Sequence, residues 1–280
     1  MLQHRLRSAA VLIPLLLVVL VLGQPFLAVL VLGITLLAAR EVFALLRQAG
    51  YASDPLLGMA FAAAIVIVAW LVRDVAGESA MVVAAGVVLA AVGAMVRRDP
   101  REAFQSWLAT VFGALYIGLA AFLVRIVEEA PALPPTAPLA AWFADGGRAW
   151  LLVAVLGVWA FDSGAYAAGK RFGRRRFMEH ISPAKTWAGV IGGLVAATAV
   201  CALMLWAVGA PPLQAALLGP LVAFAAQAGD LAESMLKRAA GAKDSGELIP
   251  GHGGMLDRVD SLLFAGPAVY FFLLVLGSGA

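Results

Sequence analysis

One cysteine, three histidines and 13% charged residues in a chain of 280 leave little material for several kinds of chemistry. The single Cys201 lies inside an apolar stretch, so an intrachain disulfide and a cysteine metal cluster are both excluded. It reads as a small core hydrophobe. No histidine pair accompanies the carboxylates, which argues against zinc. No G-x-x-x-x-G-K-[ST] run occurs, which removes a P-loop ATPase. No internal repeat of the kind that marks many transporters is present. The shortage of charge carries the most information. Soluble domains are roughly 25% charged and 45–50% apolar, whereas this chain is 63% hydrophobic with a mean hydropathy of +0.94. The net charge of +3 says little, and no nucleic-acid partner is expected.

What is present is a series of long apolar runs. Nine stretches approach the ~20 residues that a spanning helix needs: 9–23, 25–46, 55–72, 79–96, 106–127, 150–169, 188–209, 214–236 and 262–278. The expected fold class is therefore all-α, a polytopic integral membrane protein of about nine transmembrane helices. The first stretch follows Arg5 and Arg7 and resembles a secretory signal, but no A-x-A-like site follows it and a second run begins almost at once. With the N-terminus in the cytoplasm, alternate connections place 17 of the 20 basic residues on the cytoplasmic side. Arg73, Arg125 and Arg148 fall opposite. Removing one span would scramble that alternation, so the asymmetry supports both the count and the orientation.

The halves differ. Residues 1–128 are spans with short connections, read as scaffold. Residues 129–149 form a Pro-rich, non-cytoplasmic loop that makes a seam. In residues 150–280, polar groups interrupt the spans and the cytoplasmic loops become long and charged, which marks this as the catalytic region.

Ionisable groups at membrane depth are costly and usually line a substrate or ion site. Asp162, in VWAFDSGAYAAGK, is such a group; the bland alternative is a structural pair with a neighbouring span. Its neighbours Ser163, Gly164 and Tyr166 suit either close helix packing or a lined cavity. The next loop carries six basic residues, of which Arg174, Arg175 and Arg176 read as anchors for anionic membrane lipids. Ser182-Pro183-Ala184-Lys185-Thr186 differs, because two hydroxyls and an ammonium precede a span and could face phosphate together.

In the eighth run Asp230, Glu233, Ser234 and Lys237 recur at helical spacing and form one stripe. A Glu233–Lys237 pair would account for two of them and leave Asp230 without an obvious partner. Asp257 and Asp260 stand at i, i+3 at the mouth of the last run. Between the two runs lies Pro250-Gly251-His252-Gly253-Gly254, where glycines would let backbone N–H groups approach phosphate oxygens. Hard oxygen ligands (Asp230, Asp257, Asp260) beside Lys237, Arg238, Lys243 and Arg258 suit Mg²⁺ arriving with phosphates. His252 fits a phosphate contact or an orienting role better than a metal ligand. The residues thus describe a Mg²⁺-dependent site for a phosphorylated substrate at a cytoplasmic membrane boundary, without naming that substrate.

The segment 234–260, SMLKRAAGAKDSGELIPGHGGMLDRVD, resembles the defining pattern of phosphatidate cytidylyltransferases, the CDP-diglyceride synthase family. The matching positions are Ser234-x-Leu236-Lys237-Arg238, Lys243-Asp244-x-Gly246 and Ile249-Pro250-x-His252-Gly253-Gly254-Met255-x-Asp257-Arg258-Val259-Asp260. Asp162 to Tyr166 and Ser182 to Trp187 are also similar to the family, with departures at Ala184, where Gly is common, and Ala188, where Glu or Gln is common. The resemblance covers roughly 150–265. It implies conversion of CTP and phosphatidate to CDP-diacylglycerol and pyrophosphate at the inner leaflet of a bacterial cytoplasmic membrane, with the active site facing the cytoplasm. It further implies Mg²⁺, a second cation, K⁺, and a homodimer. The expected catalytic set is Asp230, Asp257, Asp260, Lys237, Lys243 and Ser234, with the three acids on the metal. The expected substrate-binding set is Asp162, Ser182, Lys185, Thr186, Arg238, Asp244, His252, Gly253, Gly254 and Arg258. Two alternatives stand beside it: a CTP-dependent polyprenol- or phytol-type lipid kinase, and an ion-coupled transporter built on Asp162 and Asp230.

Overall fold

The computed structural model describes residue 14 and residues 16–72, 75–143, 145–248 and 253–277. Among these the chain is helical and no strand forms, with isolated bridges such as that between Arg176 and Thr186. The main helices are α1 (Phe26–Gln48), α2 (Pro55–Leu71), α3 (Val75–Ala94), α4 (Pro100–Gly118), α5 (Ala121–Glu129), α6 (Gly147–Phe172), α7 (Trp187–Ala207), α8 (Ala215–Ala239) and α9 (Leu256–Gly277).

Among the described residues seven helical segments are long and apolar enough to cross a membrane: Phe26–Gln48, Gly77–Ala94, Pro100–Glu129, Gly147–Phe172, Trp187–Ala207, Pro212–Ala239 and Leu256–Val275. They make this an all-helical membrane protein. The expected run at 55–72 folds as α2, whose 17 residues fall short of that length. At 1.5 Å per residue it reaches about 25 Å against a hydrocarbon core of about 30 Å. The first expected run, 9–23, begins outside the described residues, as do Arg5 and Arg7.

The chain divides into two compact units, Met1–Val124 with Met235–Val259, and Arg125–Ser234 with Asp260–Ala280. The divisions fall inside α8 and α9, so the acid-bearing stripe of each helix is shared between units. Residues 235–259 group with the N-terminal helices rather than with the rest of the C-terminal half.

In the first unit α1 packs on α2 and α4, and α3 packs on α2 and α4. Missing side chains let aromatic rings in. Phe43 is fully buried and fills the space that Cβ atoms at Gly58 and Gly113 would need, while Phe61 does the same at Gly86. Asp54 caps α2, accepting from the Leu57 amide at 3.1 Å, and its own amide donates to Thr110 Oγ1 at 2.9 Å. Asp99 caps α4 through the Arg101 amide at 3.0 Å. These caps satisfy amides that a helix start leaves without partners.

In the second unit the closest pairing is α6 against α7. A Cβ at Gly164 would overlap Gly192 O and Ala196, and one at Gly192 would overlap Ala168. Gly164 therefore belongs to helix packing, settling one of the two readings of that position. Cys201 is fully buried beside Gly157, a core hydrophobe as expected. Gly219 of α8 sits against Thr198 of α7, and Gly229 of α8 against the Asp260 carbonyl of α9. Pro220 and Pro267 lie inside α8 and α9, positions that membrane helices tolerate because neighbours satisfy the freed carbonyls.

Candidate active site

The first unit holds residues 235–259, all but the two ends of the segment that resembles the family signature. Asp257 opens α9, and its carboxylate is surrounded by donors. Lys237 Nζ donates to Oδ1 at 2.7 Å, while Oδ2 accepts from the Gly254 amide at 2.8 Å, the Ser245 amide at 3.0 Å and Ser245 Oγ at 2.9 Å. Both charged side chains are largely removed from solvent, Asp257 at 9% and Lys237 at 13% exposure. In that setting, removing one partner leaves a nearly buried charge and costs about 3–5 kcal/mol. The backbone conforms to this arrangement: Gly253 has φ +79°, a left-handed geometry that favours glycine, and a Cβ there would stand 2.6 Å from Asp257 Oδ2.

A second acid enters this cluster from far away in sequence. Glu41 of α1 is buried, and Ser245 Oγ lies 2.9 Å from its Oε2. Its Oε1 accepts from the Met255 amide at 2.9 Å and its Oε2 from the Leu256 amide at 2.8 Å. Burying a carboxylate is costly unless it is well hydrogen-bonded, and these contacts meet that requirement. Glu41 escaped the sequence reading because it adjoins Arg40 in a run assigned to scaffold. The signal was available, since an acid inside an apolar run is the same feature that singled out Asp162. Ser245 fell between the motif positions. The Gly254 amide, which the sequence offered to phosphate, has an internal carboxylate partner instead, as do the neighbouring amides of Met255 and Leu256.

The second unit brings together Lys185 and Asp230, which form an ion pair between the loop before α7 and the middle of α8. This supplies the partner that helical spacing alone did not give Asp230. Ser234 Oγ reaches Asp230 Oδ1 only at 3.4 Å. The pair is more open than its counterpart, at 17% exposure for Lys185 and 32% for Asp230. The loop that carries Lys185 is braced on itself. The Phe177 amide donates to Lys185 O at 2.9 Å, the Trp187 amide donates to Arg175 O at 3.1 Å, and the Phe177 and Trp187 rings meet edge to face at 4.7 Å. Thr186 is buried and caps α7, its Oγ1 accepting from the Gly189 amide at 3.1 Å.

The remaining candidates are scattered. Asp162 is exposed along α6, and Ser182 is half-buried in the braced loop. Asp260 Oδ1 accepts from the Ser261 amide at 2.7 Å. Arg238, Lys243, Asp244 and Arg258 are exposed, and Arg238 contacts Ala242 O at 3.4 Å. His252, with Pro250 and Gly251, lies outside the described residues. Among the described residues no group of three or more histidine, cysteine or carboxylate side chains forms a ready metal cage. Mg²⁺ does not require one, because it is commonly held by one or two carboxylates together with substrate phosphates and water. The donors present, carboxylate oxygens flanked by ammonium groups, fit that mode.

Comparison with known proteins gives the same direction. The cytidylyltransferase family profile matches residues 3–276. A phosphatidate cytidylyltransferase of Mycobacterium bovis is 33% identical over 254 residues, 86% of this chain and 78% of that protein. A chloroplastic one of Arabidopsis thaliana is 36% identical over 259 residues, 86% of this chain and 64% of that protein. A third, from Synechocystis, is 48% identical over 131 residues, 45% of this chain and 44% of that protein. The aligned part thus spans about half the length of some relatives and three quarters of others. This chain belongs to the cytidylyltransferase family.

Proposed function

We propose that this protein is a phosphatidate cytidylyltransferase, converting CTP and phosphatidate to CDP-diacylglycerol and pyrophosphate. The observation that carries the reading is the Asp257 cluster: within a chain of this family, an acid in the signature segment is fixed by Lys237, Ser245 and Gly254. A lipid phosphate oxygen attacks the α-phosphorus of CTP in line, the bond from that phosphorus to the β-bridging oxygen breaks, and pyrophosphate leaves with the electron pair. A phosphate monoester is largely dianionic near neutral pH, so no strong general base is needed. The protein's share is positioning and charge neutralisation.

Asp230, Asp257 and Asp260 are the proposed holders of Mg²⁺, which when bound would neutralise phosphate charge and polarise the reacting phosphoryl group. K⁺ is the proposed second cation. Lys237 and Lys185, each paired with an acid, are the proposed ammonium partners of phosphate oxygens. Arg238, Lys243, Asp244, His252, Gly253 and Arg258 are assigned to the nucleotide phosphates and departing pyrophosphate, while Gly254, whose amide donates to Asp257, is assigned to positioning that acid. Ser182 and Thr186 are assigned to phosphate from the braced loop, Ser234 to the acid stripe and Asp162 to the cavity wall. The nine-span count, the cytoplasmic N-terminus, a site facing the cytoplasm of the bacterial inner membrane, and a homodimer belong to the same proposal. The basic-residue asymmetry and the family resemblance support it.

Turnover with CTP labelled separately on the base and the γ-phosphate decides the reaction. Cytidine retained on lipid with release of labelled pyrophosphate is the expected result. Release of CDP with label on the lipid would establish a lipid kinase instead. Proteoliposomes that move an ion or solute and make no CDP-lipid would establish a transporter.

A further inference from the structure

Glu41 performs no step in the reaction just described, yet the signature loop is built around it. Its carboxylate receives the amides of Met255 and Leu256 and lies within hydrogen-bond distance of Ser245 Oγ, joining positions 204 and more residues away. Two glycines make room for it. A Cβ at Gly246 would stand 2.9 Å from Glu41 Oε1, and a Cβ at Gly254 would overlap Glu41 Oε2 and Ser245 Oγ. Ser245 in turn contacts Asp257 through both its amide and its hydroxyl. The path from α1 to Asp257 thus runs through Ser245, whose hydroxyl proton serves Glu41 or Asp257 one at a time while its amide donates to Asp257.

We propose that Glu41 is a positioning residue that holds Ser245 and the stretch 253–257 in their nucleotide-binding conformation, an inference resting on the cytidylyltransferase reading above. A loop with several conformations binds its ligand with an affinity reduced by the fraction that is competent. Residues that orient a ligating side chain from behind typically cost 10–100-fold in affinity or activity when removed. Glu41→Gln keeps the size and one acceptor oxygen but turns a carboxamide N–H₂ donor toward donors that now meet a carboxylate. Its expected effect is a KM for CTP raised by about tenfold, with the KM for phosphatidate within about twofold of the parent. Glu41→Asp, one methylene shorter, should recover part of the difference.

A purely structural role would behave differently. It would lower the thermal midpoint and the fraction of active enzyme while leaving the KM for CTP unchanged.

The test is made on the full chain in detergent, with hydrogen–deuterium exchange of peptides spanning 245–257 measured without substrate alongside the kinetics. Faster exchange confined to that segment, together with the selective rise in KM for CTP, supports the proposal. Parent-like exchange there, or a KM for CTP within twofold of the parent in folded Glu41→Gln, overturns it. Should Glu41→Gln fail to fold, Ser245→Ala cuts the same path while leaving the Glu41 contacts to Met255 and Leu256. Faster exchange at 253–257 in that variant supports the path and parent-like exchange overturns it. Absence of CDP-lipid with the parent protein would sink the functional reading alone, because the exchange measurement still decides the role of Glu41.

Discussion

Among the described residues each unit holds an acid–lysine pair, and the two pairs are built differently. Asp257 with Lys237 is nearly buried, and the carboxylate also takes two backbone amides and a hydroxyl. Asp230 with Lys185 is more exposed, joined by a long flexible ammonium and only a distant Ser234 hydroxyl. The first carboxylate has its orientation set by backbone, so its position is preformed. The second can exchange its lysine for another cation at lower cost, because solvent offsets part of the lost attraction. The first pair is thus a fixed arrangement within its unit and the second an adjustable one within its own.

Three substitutions sharpen or break that contrast. The largest effect is expected for Asp257→Asn, which removes the charge facing Lys237 and leaves an amine against the Gly254 and Ser245 amides. Turnover should fall on the order of 10³-fold, the scale of losing a preorganised electrostatic contact, in a protein that still runs as a folded species in detergent. Near-parent turnover with Mg²⁺ would remove Asp257 from the site. A smaller loss is expected for Lys185→Met, about 10–100-fold in turnover, since the partner it abandons is already partly solvated. A loss as large as that of Asp257→Asn would erase the distinction between the pairs. The smallest effect is on stability: Thr186→Ala removes the α7 cap and should lower unfolding free energy by about 1 kcal/mol. An unchanged thermal midpoint would show that the cap contributes nothing to the loop that presents Lys185.

Much of the architecture was legible in advance, for physical reasons. Apolar runs must satisfy their backbone internally in a bilayer, and helices do this locally, so α1, α6, α7, α8 and α9 fell close to their expected ranges. The run at 55–72 also folds as a helix over nearly its expected range, Pro55–Leu71, but it is the shortest of the expected runs that form a single helix apart from those near the chain start. Among the site residues, the stripe from Asp230 to Lys237 and the Asp257–Asp260 pair followed from helical periodicity. Gly164 could not be assigned, because a glycine next to an acid serves packing and cavity equally well until the facing helix is known.

The sequence by itself determined the helical membrane class, the family, and the set of polar side chains that chemistry could use, since composition, periodicity and motif spacing are properties of neighbouring residues. Tertiary structure alone decided who partners whom. It paired Lys185 with Asp230 across a loop, enclosed Asp257 in donors from three separate positions, and brought Glu41 from the first described long helix to the loop before α9. Hydrogen bonds between residues 204 apart leave no periodic trace in the chain. They arise only when helix packing has fixed where each backbone amide must find its acceptor.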